Sequence, residues 1–161
     1  MLLHSVLKRG CLAVFVAAFF VALCMTANSV AKTEQYVGSE ACGDCHETEY
    51  ENYKKFSKKA HAGDSVKLMS GDLTRGELEE CFECHVTGFG KPGGFVSFEE
   101  TPNMADAGCE TCHGPGYDHI ESDGDTDLIK GKLSIKDCEG CHNPERVDAF
   151  DFKPLLFGGA H

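Results

Sequence analysis

Four copies of one five-residue pattern, Cys-x-x-Cys-His, dominate this chain of 161 residues. They read CGDCH at 42–46, CFECH at 81–85, CETCH at 109–113 and CEGCH at 138–142. The chain has ten cysteines, and all of them except Cys11 and Cys24 belong to these patterns. Whatever holds the other eight thiols therefore determines most of the fold.

Paired cysteines in an exported chain are compatible with a disulfide framework or with two zinc sites of four thiolates each. Neither explains a histidine directly after the second cysteine in every copy. Covalent haem attachment does, because two thiols at this spacing add to the two vinyl groups of one porphyrin and the adjacent imidazole binds its iron. We therefore predict four covalently bound c-type haems. The attachment residues are Cys42, Cys45, Cys81, Cys84, Cys109, Cys112, Cys138 and Cys141, and the proximal iron ligands are His46, His85, His113 and His142.

The second axial ligands are fewer than the haems. Apart from His4 and the histidines of the four motifs, the chain contains three histidines: His61, His119 and His161. Three imidazoles cannot complete four haems, so at least one iron is five-coordinate, is bound by methionine, or takes a ligand from another chain. Met104 is a candidate, although a methionine beside a loop more commonly fills a gap in the packing.

His161 is the last residue and follows Gly158-Gly159, and terminal residues are often exposed. The preceding segment, FDFKPLLF, is too apolar for a free tail and predicts that the C-terminus docks. We therefore predict His161 as an iron ligand, either of the first haem of its own chain or of an open haem in a neighbouring chain.

Residues 1–31 have the pattern of a cleaved secretory signal. Lys8 and Arg9 precede an apolar run at 11–25, and a small-x-small cleavage site follows at 29–31. A retained membrane anchor is the alternative, but this run is shorter than the roughly 20 apolar residues of a spanning helix. The sequence therefore predicts a periplasmic, or extracellular, protein.

The remaining residues, 32–161, suit one tetrahaem domain. Residues 1–31 hold two of the 15 basic residues and none of the 26 acidic ones, so the domain is more acidic than the net charge of −11 of the whole chain. This balance disfavours nucleic acid and anionic membranes as partners. It favours redox partner proteins with a basic docking surface.

The local patterns predict helices separated by long loops. Tyr50, Tyr53 and Phe56 recur at three-residue spacing, which favours a helix from Cys42 toward Ser57 with its aromatic side chains on a porphyrin face. Residues 74–77 and 134–137 resemble capping boxes that open the helices of the second and fourth motifs. Residues 87–103 are rich in glycine and proline and predict a loop with at most one short strand, at 95–98. The predicted fold class is mainly α with extensive coil, a compact multihaem cytochrome c domain with a haem-dominated core and little or no sheet.

Three segments resemble the cytochrome c-554 family of small tetrahaem cytochromes. They are YVGSEACGDCHETEYENYKKFSKKAHA, CHVTGFGKPGGF and GCETCHGPGYDH, and the likeness runs from Tyr36 to about Phe152. The resemblance implies a mainly helical, haem-packed fold. It also implies that His61 is the distal ligand of the third haem and that His119 is the distal ligand of the fourth.

The resemblance further implies that the second haem, held by Cys81, Cys84 and His85, can be five-coordinate and open to small ligands such as nitric oxide. The sequence departs from the family at the first haem. Relatives usually place its distal histidine between the second and third motifs, and no histidine lies between His85 and Cys109 here.

An electron carrier is the leading functional hypothesis. A domain of this size has a radius of gyration of about 14 Å, so four macrocycles must lie close enough for electrons to pass between them. The sequence has no Ser/His/Asp set, phosphate loop or carboxylate dyad, so no catalytic side chain is predicted. The alternatives are reduction of nitric oxide or a similar small oxidant at the haem of His85, and a cytochrome filament in which His161 completes a haem of the next chain.

Overall fold

The structure of the protein is a computed structural model that describes residues 33–146. Two sequence predictions fall outside these residues: the cleaved signal at 1–31 and the ligand role of His161. Both remain predictions.

Seven α-helices form the framework of the described residues. They are α1 (Ser39–Gly43), α2 (Glu47–Phe56), α3 (Ala62–Met69), α4 (Arg75–His85), α5 (Cys109–His113), α6 (Tyr117–Glu121) and α7 (Ile135–Glu139), with 3₁₀ turns at Lys58–His61, Pro102–Met104 and Thr126–Leu128. Residues 33–146 contain no β-strand, which confirms the predicted mainly α fold with little or no sheet. None of the helices in this range is long and apolar enough to cross a bilayer.

The first motif divides the predicted long helix into α1 and α2. The N–H groups of Cys45 and His46 both donate to the Cys42 carbonyl, at 3.3 and 2.9 Å. His46 then leaves the helical region, with φ −110° and ψ 53°, and α2 begins at the next residue. The single helix expected from Cys42 onward is therefore wrong, because the histidine of the motif serves as the N-cap of a second helix.

The aromatic side chains of α2 face different environments. The Tyr50 ring lies against Gly43 of α1, where an added Cβ would come 2.6 Å from the ring. Tyr53 is buried and its hydroxyl donates to the Ala107 carbonyl at 3.3 Å. Phe56 is 58% exposed. Two of the three aromatics thus pack α2 against neighbouring chain segments, and their predicted contact with a porphyrin stays a prediction.

Both predicted capping boxes are present. Thr74 and Glu77 bond reciprocally at the start of α4: the Thr74 N–H donates to the Glu77 carboxylate at 2.8 Å, and the Glu77 N–H donates to the Thr74 hydroxyl at 3.4 Å. Ser134 and Asp137 form the same arrangement at the start of α7. The helices that carry the second and fourth motifs therefore begin where the sequence predicts.

An aromatic cluster forms the main apolar core of the described residues. The Phe82 ring of α4 lies 4.9 Å from Phe95 and 6.0 Å from Phe98, measured between ring centroids. Met104 is 2% exposed and packs with this cluster. This is the gap-filling position that the sequence offered as the alternative to iron binding.

The loop at 87–103 folds over this cluster without forming a strand. The Thr87 N–H donates to the Met104 carbonyl, and the Phe95 N–H donates to the Thr87 carbonyl, each at 2.9 Å. These are isolated bonds between loop positions. The short strand allowed for 95–98 is therefore absent from the structure.

Candidate haem sites

Each motif occupies a single helical turn. In the first and fourth motifs, the histidine N–H bonds to the carbonyl of the first cysteine, at 2.9 Å for His46 and 2.8 Å for His142. The second motif is the last turn of α4, and the third is the whole of α5. Residues three and four apart are neighbours on a helix, so each turn gathers its two thiols and its imidazole. All eight of these thiols are free.

Three of the predicted iron ligands have one ring nitrogen bound to a backbone carbonyl. Nδ1 of His85 lies 2.8 Å from the Ala62 oxygen, Nδ1 of His113 lies 2.7 Å from the Lys130 oxygen, and Nδ1 of His119 lies 2.9 Å from the Asp125 oxygen. A carbonyl only accepts, so Nδ1 must carry the proton and Nε2 keeps its lone pair. This is the arrangement by which proteins orient metal-binding histidines. The donor set therefore fits haem iron.

The remaining described histidines are placed differently. His61 ends the 3₁₀ turn before α3; its Nδ1 is 3.6 Å from the Asp64 carboxylate, and its side chain is 67% exposed. The ring of His46 lies 6.4 Å from that of His119, with 17° between their planes. Burial, and then the nearby charge of Lys59, lowers the pKa of His142. Their roles as iron ligands remain predictions.

Thiols of different motifs influence one another's acidity, which the spacing of the motifs did not reveal. The Cys42 thiol is in hydrogen-bonding reach of Cys109, and the Cys84 thiol is in reach of Cys141. Cys112 is close enough to Cys138 for their charges to interact.

These contacts alter the acidity of the thiols before any thioether forms. The hydrogen bond from Cys42 is the main cause that lowers the pKa of Cys109 to about 6. The same bond and burial raise the pKa of Cys42. Burial and the bond with Cys84 raise the pKa of Cys141 to about 12.

Glu110, inside the third motif, is a structural centre that the sequence analysis missed. Its side chain is 1% exposed and its carboxylate accepts from three backbone N–H groups: Gly38 at 2.7 Å, Val37 at 3.0 Å and Gly116 at 2.7 Å. Glu139 holds the equivalent place in the fourth motif and is exposed. The motif itself does not separate the two, because two of the three partners of Glu110, Val37 and Gly38, come from a distant segment.

Lys130 links the third motif to the helix of the fourth. Its N–H donates to the His113 carbonyl at 3.1 Å, while its own carbonyl accepts from Nδ1 of His113. Its ammonium group lies 2.7 Å from the Asp137 carboxylate. The bond from Lys130 and those from the Ser134 cap lower the pKa of Asp137 to about 2.

Replacing Asp137 with asparagine is expected to destabilise the protein in a pH-dependent way. A carboxylate whose pKa is lowered by folding stabilises the folded state above its ordinary value of 3.8, and this contribution disappears as the pH falls through about 2. Urea unfolding at pH 7, 4 and 2.5 should show Asp137→Asn less stable than wild type at pH 7, with a smaller difference at each lower pH. The exposed Asp127→Asn is the matched control. A difference that stays constant with pH would contradict the assignment.

Known proteins resemble this chain in the region that contains the motifs. The family described as "Cytochrome c554 and c-prime" matches residues 41–114. A cytochrome c-554 of Nitrosomonas europaea is 32% identical over 100 residues, which are 55% of this chain and 42% of that protein. The chain thus matches less than half the length of this curated relative.

The fold of this chain is also similar to that of a solved structure. The reduced state of cytochrome c554 from Nitrosomonas europaea superposes with a TM-score of 0.53 over 77% of this chain and 82% of that one, at 22% identity. The family match includes the first three motifs and ends before the fourth. The resemblance predicted from the sequence is confirmed: this chain is similar in sequence and fold to the cytochromes c-554, which implies covalently bound c-type haem.

Proposed function

We propose that residues 32–161 form an exported electron-transfer domain with four covalently bound c-type haems, which relays electrons between redox proteins. The observation that carries this proposal is the repetition of one Cys-x-x-Cys-His turn at four places in the chain, with His85 and His113 each held through Nδ1 by a backbone carbonyl. Haem supplies reversible one-electron chemistry when bound.

The side chains have distinct tasks in this proposal. The eight motif cysteines hold the cofactors permanently, which suits a protein outside the cytoplasm because nothing is lost by dilution. The backbone carbonyls of Ala62 and Lys130 orient His85 and His113.

The proposed location and partners rest on the sequence. The signal pattern at 1–31 supports export to the periplasm. The excess of acidic residues supports a redox partner that docks through a basic surface. Docking of this kind weakens as ionic strength rises, because salt screens exposed charges.

Haem content and redox behaviour test the proposal. The protein is expressed in a host that attaches c-type haem, and intact-mass measurement should show four haems. Cys138→Ala/Cys141→Ala is the control and should carry three. A redox titration should then show that every haem is reduced and reoxidised reversibly. Fewer than four haems in the wild type would contradict the proposal.

Measurements of turnover and of polymer formation separate this function from the alternatives. An electron carrier should pass electrons to a second redox protein without consuming a small oxidant. Steady turnover of nitric oxide at a high-spin haem would replace the proposal with a reductase. Polymers that disappear on deletion of His161 would replace it with a filament subunit.

A further inference from the structure

We propose that Arg146 raises the midpoint potential of the second haem by holding a fixed positive charge beside Cys84, one of the two residues that attach this haem. The inference rests on the proposed function only in requiring a haem at the second motif. Arg146 lies beyond residues 41–114, the part of the chain that matches the family.

Arg146 contacts the second motif although it follows the fourth in the sequence. Its Nη1 donates to the Cys84 sulfur at 3.3 Å, across 62 positions of the chain. Sulfur is a weak acceptor both in a thiol and in a thioether, so this contact does not need the proton of the free thiol. A charge held against this sulfur is therefore held beside the second haem once Cys84 carries it.

The turn that follows the fourth motif places the backbone of Arg146. Asn143 comes directly after His142, and its carbonyl accepts from the Arg146 N–H at 3.1 Å. The side-chain oxygen of Asn143 accepts from the Glu145 N–H at 3.2 Å. Turns favour asparagine at their first position and proline at their second, and Asn143-Pro144 supplies both. The backbone that carries the guanidinium is thus fixed close to the fourth motif.

The charge of this side chain is permanent, because a guanidinium in a protein is not deprotonated. Within residues 33–146, no carboxylate forms an ion pair with Arg146. Arg75, the other arginine of this range, is bound to Glu79 at 2.8 Å. Of these two arginines, Arg146 therefore holds its charge against a haem-attachment residue instead of against a carboxylate.

The charge of Arg146 also acts on the fourth motif. Burial, followed by the bond with Cys84, raises the pKa of Cys141, and the charge of Arg146 opposes this rise. The guanidinium thus influences an attachment thiol through space as well as through its hydrogen bond. We expect its effect to be larger at the second haem, whose sulfur it contacts directly.

A nearby positive charge favours the reduced form of a haem, because reduction adds one negative charge to the site. The acidic excess of the domain acts in the opposite direction and favours the oxidised form. Arg146 therefore makes the second haem a better electron acceptor than its acidic surroundings alone would make it. Because Arg146 is exposed, salt should weaken the effect.

A series of charges at position 146 tests the inference. Arg146→Lys keeps the charge, Arg146→Gln removes it and Arg146→Glu reverses it. Each is made in the four-haem protein and in Cys81→Ala/Cys84→Ala, which lacks the second haem. Redox titration followed by visible spectra gives the midpoint potentials, and intact mass gives the haem count. Arg75→Gln is the matched control, because Arg75 lies at the other end of α4 and is already paired with Glu79.

One midpoint potential should stay close to wild type in Arg146→Lys, fall in Arg146→Gln and fall further in Arg146→Glu. At the wild-type midpoint, the ratio of reduced to oxidised haem should drop about twofold or more in Arg146→Gln, which is the effect of one unit charge near a protein surface. The drop should shrink as ionic strength rises. Arg75→Gln should leave all midpoint potentials unchanged.

In the protein without the second haem, the largest of these shifts should be absent. A fall of the same size in that background would show that the charge acts on another haem and would overturn the inference. Potentials that do not follow the charge series, or equal falls in Arg146→Lys and Arg146→Gln, would overturn it as well. The haem count is read separately from the potentials, so failure of the proposed function and failure of this inference give different results.

Discussion

We expect replacement of Glu110 with alanine to lower the free energy of unfolding by about 3 to 5 kcal/mol, because it leaves buried backbone donors without acceptors. The carboxylate is the acceptor for Val37, Gly38 and Gly116, and the Gly38 and Gly116 bonds are buried. Each unsatisfied buried donor costs about 1 to 3 kcal/mol. Guanidinium unfolding of the haem-loaded protein, followed by far-ultraviolet circular dichroism, measures the loss.

The control is the equivalent residue of the fourth motif. Glu139 is exposed, so Glu139→Ala should change the free energy of unfolding by no more than about 0.5 kcal/mol. Similar losses for the two alanine variants would show that the change acts through the motif itself rather than through the buried bonds.

Glu110→Gln separates charge from shape. Glutamine keeps the volume but presents one amide NH₂ where an oxygen now accepts, so it faces a backbone N–H with another donor. The oxygen nearest Gly116 is Oε1 and the one nearest Gly38 is Oε2, so either orientation sacrifices one short bond. We expect an intermediate loss of stability. Wild-type stability in this variant would contradict the arrangement in which both carboxylate oxygens accept from backbone N–H groups.

The parts of the fold that sequence predicts well are those determined within a few residues. The Thr74/Glu77 and Ser134/Asp137 caps need only four consecutive residues, and both form as expected. The break at His46 is the exception among local features. The three-residue spacing of Tyr50, Tyr53 and Phe56 does not report that His46, four residues before Tyr50, leaves the helical region.

The features that sequence missed depend on contacts across the chain. Glu110 meets Val37 and Gly38 more than 70 positions away, and nothing in CETCH distinguishes its glutamate from that of CEGCH. The neighbouring rings of His46 and His119 are likewise a product of tertiary packing. The number of histidines shows that a ligand is missing, but it does not show which imidazole binds which iron.

Gly63→Ala is expected to be the second most damaging single change, because α3 lies too close to the backbone at Ala105 to admit a methyl group. A Cβ at Gly63 would overlap the carbonyl oxygen of Ala105 and come 3.3 Å from the Phe98 ring. Overpacking at such a site costs about 1 to 3 kcal/mol. A shift of α3 would also strain the bond between the Gly63 N–H and the Asp106 carboxylate, now 2.9 Å. Thermal unfolding of the haem-loaded variant checks the loss of stability.

The matched control lies in the next helix. Gly76 of α4 is exposed and an added Cβ there meets nothing within 4 Å, so Gly76→Ala should be neutral or stabilising by at most about 0.5 to 1 kcal/mol. The two substitutions add the same methyl group to a helix, so opposite effects isolate the close approach at Ala105. The same approach places the Ala62 carbonyl 2.8 Å from Nδ1 of His85. Gly63→Ala should therefore also shift the midpoint potential of the second haem, whereas a destabilised variant with an unchanged potential would show that α3 does not orient this ligand.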